Sequence, residues 1–484
     1  MDSSVLVIGS FAFYSLFIVA VGLWSSRHRK DTADDFVLAN RELGPWAASL
    51  SASASSESGW VMLGLVGVAF SSGFSAFWIV PGIALGYFFN WFVLAEKLRV
   101  ATKASGAVTL TQFISHRFGR NSQALRIVSV VIIVVSMLAY VAAQMNAAGK
   151  AFDALFELPY WLGVLAGAAI ILAYTITGGF RAIAWTDIVQ AGFMFIALVI
   201  MPFLMLSAAG GYGKIVDTLA AVSPDLLTWS GNNSGMALLG FIFGSLGIGL
   251  GYPGQPHVLT RFMAARSRKT VRQAGFISLV WMLVVYVGAI FFGMFARAHF
   301  GSLADPEQAL PLACGELLPP VLAGFVVAAI VAAICSTADS QLMVVTSALS
   351  RDVFQTMPGD NSNGNNRKAL WLDRVILIAL GLVAVFLAIS DNRVIFEFVL
   401  YAWAALGAAF GPVVILGLLW KRTSKAGALA GMSVGLLVTV IWRNIPILKS
   451  AVYELVPAFG LSLLAVMIFS LLAPEPSGDS RLQE

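Results

Sequence analysis

The sequence predicts an all-α polytopic membrane protein of thirteen transmembrane helices, arranged around two five-helix repeats of inverted topology. Three observations carry the membrane-spanning architecture, and the positions of two interrupted spans, taken up below, carry the repeats. The 484 residues are 59% hydrophobic and 11% charged, with a mean hydropathy of +0.85, far from the quarter-charged composition of water-soluble domains. Apolar runs near the twenty residues needed to cross a bilayer recur along the whole chain. The basic residues between those runs alternate in density, as an alternating topology requires.

The runs fall at about 5–25, 45–73, 76–95, 127–149, 159–177, 187–208, 236–256, 274–296, 320–347, 372–389, 395–419, 427–442 and 452–472. The first is followed at once by Arg27, His28, Arg29 and Lys30, and it lacks the basic leader and small-residue cleavage site of a signal peptide, so it reads as a retained span. With the loop after it placed in the cytoplasm, only six of the thirty lysines and arginines fall on the outside: Lys150, Lys214, Arg297, Arg393, Arg443 and Lys449. That bias puts the N-terminus outside and the C-terminus in the cytoplasm.

No segment between spans is long enough for a separate domain, so residues 1–484 form a single transmembrane unit. Within it, 5–25 is an extra N-terminal helix, 45–208 and 236–419 are the two five-helix repeats, and 427–472 holds two C-terminal helices. The polar stretch PGDNSNGNNRK (358–368) reads as a flexible cytoplasmic loop and 474–484 as a disordered cytoplasmic tail.

Several functions are excluded at this point. Cys314 and Cys335 stand apart with no CxxC, so neither a disulfide framework nor a zinc site is expected. The histidines at 28, 116, 257 and 299 are scattered, and no HExxH, GxSxG or phosphate-cradling loop is present, so no enzyme is expected. The basic balance lies in short loops between spans and speaks of topology, not of nucleic acid.

Polar residues at bilayer depth are costly and normally face a cavity or a partner. Three clusters stand out. SLSASASSESGW (49–60) places six serines and Glu57 in the second span, and its serines do not keep to one helical face. Small residues that let helices approach closely would account for the serines. They do not account for Glu57, and a broken helix whose loosened carbonyls offer hard oxygen ligands to a small cation fits better. GSLGIGLGYPGQPH (244–257), in the seventh span, has glycine and proline at a density no regular helix sustains. AAICSTADSQ (332–341), in the ninth, sets Ala333, Ser336 and Thr337 at i, i+3 and i+4, so a carbonyl and two hydroxyls share a face. Interrupted spans two and seven are five apart, the positional mark of an inverted-repeat transporter with its site at the repeat interface.

At these residues the sequence resembles the sodium:solute symporter family, most of all its proline-transporting members. The similarity runs through LANRELGP (38–45), SGWVMLGLVG (58–67), GGFRAIAWTD (178–187), GYPGQPHVLTRFMAA (251–265), AICSTADSQL (333–342) and YAWAALGAAFGPVV (401–414) to GLLWKRTSKAGALAG (417–431). The resemblance implies a sodium site formed by Ala54 and Glu57, through backbone oxygens, with Ala333, Ser336 and Thr337. It implies substrate contacts at Ser58, Gly59, Trp60, Tyr140, Tyr252, Gln255 and Pro256, and gating or coupling roles for Arg41, Ser55, Asp187 and Asp339. Asp187 could instead cap the sixth span, and Arg41 could be a plain inside charge.

Two positions differ from the proline members. Aspartate and methionine precede their SGW, whereas Ser56 and Glu57 stand here, which moves the carboxylate about 100° around the helix. Ile248 occupies the place of their tryptophan. The Glu57 carboxylate either strengthens sodium binding through its charge or braces the helix break through hydrogen bonds.

The expected function is secondary active transport across a bacterial inner membrane, with Na+ as coupling ion and a small zwitterion, L-proline first, as substrate, by a chain working as a monomer in the lipid bilayer. Another small amino acid or organic solute is the alternative. A membrane sensor on the same fold is a third reading, and it would need a separate signalling partner.

Overall fold

The computed structural model describes residues 3–27, 33–119, 122–156, 158–353, 366–390 and 394–474. The tail beyond 474, most of the 358–368 loop and the basic residues 28–30 lie outside that range. The described residues are almost wholly helical, and their single isolated β-bridge joins Leu43 to Ala265. The helices that frame the bundle interior, numbered in chain order, are α1 (Ser3–Ser26), α2 (Pro45–Gly59), α3 (Val66–Ser72), α4 (Ile79–Phe88), α5 (Ala95–Ser105), α6 (Gln123–Phe156) and α7 (Tyr160–Ala208). They continue as α8 (Gly235–Gly247), α9 (Pro256–Ala264), α10 (Arg268–Phe300), α11 (Pro320–Asp352), α12 (Asn366–Ser390), α13 (Ile395–Leu419), α14 (Lys425–Asn444) and α15 (Leu455–Leu472).

Eleven helical stretches among the described residues are long and apolar enough to cross a membrane. The expected second and third spans fall within one such stretch, Pro45–Ser105, and the expected fifth is the shorter apolar helix Tyr160–Ala173. The fifth and sixth spans follow one another across a kink inside α7 at Gly179, whose φ of 60° and ψ of −164° interrupt the helix in a conformation that only glycine takes without strain. A Cβ there would meet the Phe36 ring at 2.8 Å. Asp187 therefore lies in the interior of a helix, and the capping role open to it in the sequence is ruled out.

Apolar side chains fill most of the core and also cover the outside. Leu16, Phe203 and Phe386 point outward, as lipid-facing residues do, while the serines of α2 and the hydroxyl-bearing turn of α11 are enclosed. The N-terminal helix α1 packs on α7 and α11, and the C-terminal pair α14 and α15 packs on α13.

Both expected breaks are present. In α2, Ser58 takes φ 38° and ψ −176°, after which the chain resumes as a wider helical turn over Trp60–Leu65. After α8, residues Ile248–Gly254 form a tighter turn containing Pro253, and Gln255 is extended before Pro256 opens α9. Glycine density in this second break allows backbone contact as well as bending. A Cβ on Gly249 would lie 1.9 Å from the Gly82 carbonyl oxygen, and one on Gly251 would lie 1.8 Å from Trp403 Nε1.

Gly251→Ala is accordingly expected to push the Trp403 indole off its hydrogen bond to the Ile248 carbonyl and to destabilise the fold by about 1–3 kcal/mol. The check is the thermal unfolding midpoint in detergent. An unchanged midpoint would show that the close approach of these two elements carries no weight.

Candidate functional site

The positive φ at Ser58 turns the Gly59 N–H out of the helix ladder, and Gln144 Oε1 on α6 accepts it at 3.1 Å. Carbonyls of the preceding turn are thereby exposed to α11. The Ser336 hydroxyl donates to the Ala54 carbonyl at 3.0 Å and to the Ala333 carbonyl at 3.1 Å. The Thr337 hydroxyl donates to the Ser55 carbonyl at 3.0 Å and reaches those of Ala54 and Ala333 at 3.4 and 3.3 Å. Ala333, Ser336 and Thr337 thus share one face, as their spacing predicts, and meet Ala54, the residue that the resemblance implies, at one buried point. Such a set of neutral, hard oxygens can replace the hydration shell of a small monovalent cation.

Glu57 belongs to the same turn, but its side chain leaves in another direction. Its Oε2 accepts from Trp281 Nε1 of α10 at 2.7 Å and its Oε1 from the Tyr87 hydroxyl of α4 at 3.3 Å. Tyr87 also shares a hydrogen bond of 2.8 Å with Ser56. The Glu57 carbonyl accepts the N–H of Trp60.

Beyond the break the groups become aromatic. Trp60 stacks on Phe396 of α13 with ring centroids 5.6 Å apart and meets Tyr286 at 5.9 Å. Tyr252 lies edge-on to Tyr87 and Trp403, and its hydroxyl is 3.4 Å from that of Tyr286. Ser58 Oγ accepts the N–H of Trp60, and Gln255 donates to the carbonyls of Gly251 and Trp403. Tyr140 faces the ring of His257, the residue after Pro256. The oxygen cluster and the aromatic cluster therefore share α2, one before its break and one after.

Both approaches to this layer are closed. On one side Glu307 accepts the N–H groups of Ile395 and Phe396 at 3.1 and 2.9 Å and pairs with Lys150 at 2.8 Å, which fixes Phe396 over Trp60. Lys150, expected in the outside segment that follows the fourth span, lies in the last two turns of α6. On the other side Arg261, fully buried, pairs with Asp187 at 3.1 Å and donates to Ser51, Ser55 and Ser340, while Ser51 donates to Asp187 at 2.6 Å. Asp339 accepts from Ser340 at 3.1 Å. A cleft lined by Val37, Thr109, Phe180, Thr260, Arg261 and Ser340 reaches this cluster from the face that carries Arg41. Arg41 ends a run of three residues with positive φ and donates to the carbonyls of Thr102, Ala107 and Met263.

Arg261 is the largest omission of the sequence reading, which counts it as a loop charge because the apolar run stops at residue 256. The signal was available: HVLTRFMA is a short amphipathic helix, and an arginine one turn after His257 shares its face. Tyr87, Trp281 and Gln144 were hidden for a plainer reason, being ordinary residues within spans.

Two broken helices, each in one half of a bundle and both facing a layer of enclosed hydroxyls and rings, define a secondary membrane transporter. The chain belongs to the sodium:solute symporter family, whose model matches residues 36–435. It is 39% identical over 454 residues to the high-affinity proline transporter PutP of Bacillus subtilis, covering 93% of this chain and 94% of that protein. It is 35% identical over 477 residues to the sodium/proline symporter of Escherichia coli, covering 97% and 93%. A solved Na+-coupled sialic acid symporter superposes with a TM-score of 0.81 at 18% identity over 98% of this chain and 99% of that one. Mhp1, a nucleobase-cation-symport-1 family transporter, superposes at 0.57 and 16% identity over 93% and 97%. These two show the shared fold.

Because the Glu57 carboxylate faces α4 and α10 while the oxygen cluster faces α11, Glu57→Gln is expected to leave the sodium concentration for half-maximal uptake within about twofold of wild type. Sodium titration of uptake checks this, and a shift of tenfold or more would assign the charge a direct part in ion binding.

Proposed function

We propose that this protein is a sodium-driven L-proline symporter of the bacterial inner membrane, acting as a monomer with its N-terminus outside and its C-terminus in the cytoplasm. In this reading Ala54, Ala333, Ser336 and Thr337, joined by the Glu57 carbonyl, hold sodium. Ser58, Gly59, Trp60, Tyr140, Tyr252, Gln255 and Pro256 hold the solute. The observation that carries it is the sharing of α2: oxygens before the break and rings after it cannot be rearranged independently. The proline-transporting relatives supply the substrate.

Coupling follows from that sharing. Sodium between Ala54 and Ser336 replaces hydroxyl-to-carbonyl hydrogen bonds by ion contacts and fixes the turn that sets Ser58 and Trp60, so ion and solute each strengthen the other's binding. Repeats 45–208 and 236–419 are the halves that move, with Glu307 and Phe396 closing one side. Arg41, Ser55, Asp187 and Asp339, together with Arg261, close the other. For one sodium per solute, 100 mV contributes about 2.3 kcal/mol and a tenfold sodium gradient about 1.4 kcal/mol. Together they support accumulation of up to several hundredfold.

In proteoliposomes, an inward sodium gradient is expected to drive uptake of labelled proline ahead of other small amino acids. Equal uptake with choline outside would remove the ion assignment, and uptake of alanine or another solute in preference to proline would remove the substrate.

Ser336→Ala and Thr337→Ala should each raise the sodium concentration for half-maximal uptake by about tenfold or more, with a smaller effect on maximal rate, since each deletes one ligand worth about 1.5–3 kcal/mol. Identical sodium titrations for both variants and wild type would move the ion elsewhere.

A further inference from the structure

Gln144 lies on α6 one helical turn beyond Tyr140, on the same face, and its side chain is fully enclosed. Its amide orientation is fixed by chemistry: the Gly59 N–H that it meets at 3.1 Å can be accepted only by the amide oxygen. That bond turns Nε2 away from Gly59, and Nε2 has no hydrogen-bond partner. A buried amide N–H group in this state is costly unless something else accepts from it.

Two further polar atoms of the same layer share this condition. Gln255 spends its Nε2 on the Gly251 and Trp403 carbonyls, which leaves Oε1 without a donor. Trp60 Nε1 has no acceptor. The contact of Tyr140 with His257 sets the start of α9, and hence Gln255, beside the α6 face that carries Gln144. Two enclosed donors and one enclosed acceptor, the amides held in orientation by backbone and the indole by its stacking on Phe396, are the complement of a zwitterion. A carboxylate accepts where nitrogen donors wait, and an ammonium donates to the amide oxygen.

We propose that Gln144 binds the carboxylate of the transported solute through Nε2 and so determines that the solute must carry one, while Gln255 Oε1 receives the solute nitrogen. This rests on the proposed solute site and adds a residue to it. Because Gln144 Oε1 takes up the Gly59 N–H, its amide hands the donor role of the broken helix onward to Nε2. The anion is then read by a side chain instead of by the backbone of α2.

The test measures displacement of labelled proline from the purified full-length protein at saturating sodium, by proline and by prolinamide. The two competitors differ only in carboxylate against neutral amide. Gln144→Glu keeps an oxygen for the Gly59 N–H and replaces the donor by a negative charge; Gln144→Leu removes both functions. Gln144→Glu is expected to lose about ten- to a hundredfold in affinity for proline and less than about twofold for prolinamide, whereas Gln144→Leu, which also strands the Gly59 N–H, is expected to lose affinity for both. Equal losses for the two competitors in the folded Gln144→Glu protein, or an affinity for proline within about twofold of wild type in it, would overturn the assignment. If wild type prefers alanine to proline, the same ratio is read with alanine and alaninamide, so an error in substrate identity does not disguise the result. A wild-type protein that binds no carboxylated amino acid at all sinks the transport reading and this inference with it.

Discussion

One peptide unit organises the centre of this protein. At bilayer depth every backbone donor and acceptor must find a partner within the protein, and the left-handed conformation of Ser58 removes part of the helical ladder that would supply them. Gln144 takes the freed N–H, Thr337 and Ser336 take the freed carbonyls, and Ser58 takes the N–H of Trp60 with its own hydroxyl. The hydroxyls and amide around α2 are therefore the conditions under which a broken helix can persist in a membrane. They are also the groups that a small cation and a polar solute can use, so structural satisfaction and ligand binding draw on one set of atoms.

The two sides of the layer are sealed by different physics. Near Phe396 the closure depends on a carboxylate that caps the first turn of α13 and on a lysine beside it, with Asp305 partly exposed nearby. Near Arg261 the closure is a fully enclosed ion pair wrapped in three serines and laid over the Phe180 ring. Enclosed pairs gain their stability only when the remaining donors and acceptors are met. Ser51, Ser55 and Ser340 meet the guanidinium, and Ser51 meets Asp187 Oδ2, from α2 and α11, while Asp187 Oδ1 is left without a partner. This explains the abundance of serine in SLSASASSESGW better than close packing alone: Ser51 and Ser55 share a face directed at Arg261, while Ser56 faces Tyr87.

Much of this was legible in the sequence because local rules act strongly here. Apolar run length gave most helices within a few residues, glycine and proline density gave the second break, and i, i+3, i+4 spacing gave the convergence of Ala333, Ser336 and Thr337. What escaped depends on contacts between distant segments. The Asp187 to Arg261 pair joins residues that hydropathy treats as a span and a loop. The kink at Gly179 sets Asp187 well inside the helix that follows it, although the expected sixth span begins only at residue 187. The direction of the Glu57 side chain is set by Tyr87 and Trp281, whose roles nothing in their own neighbourhoods announces.

The β-bridge between Leu43 and Ala265 carries a mechanical consequence. Leu43, just before α2, and Ala265, just after α9, are tied by two backbone hydrogen bonds, Leu43 N–H to the Ala264 carbonyl at 3.1 Å and Arg266 N–H to the Leu43 carbonyl at 3.0 Å. Arg99 bolts the same strand ends through the carbonyls of Ala265 and Arg266. The stretch leading into the first broken helix and the stretch leaving the second are thus stitched edge to edge at the Arg41 face. While the stitch holds, these two ends cannot slide apart, and the freedom left to them is to swivel about it. The seam acts as a hinge pin, converting any separation of the flanking helices into a rotation about a fixed line.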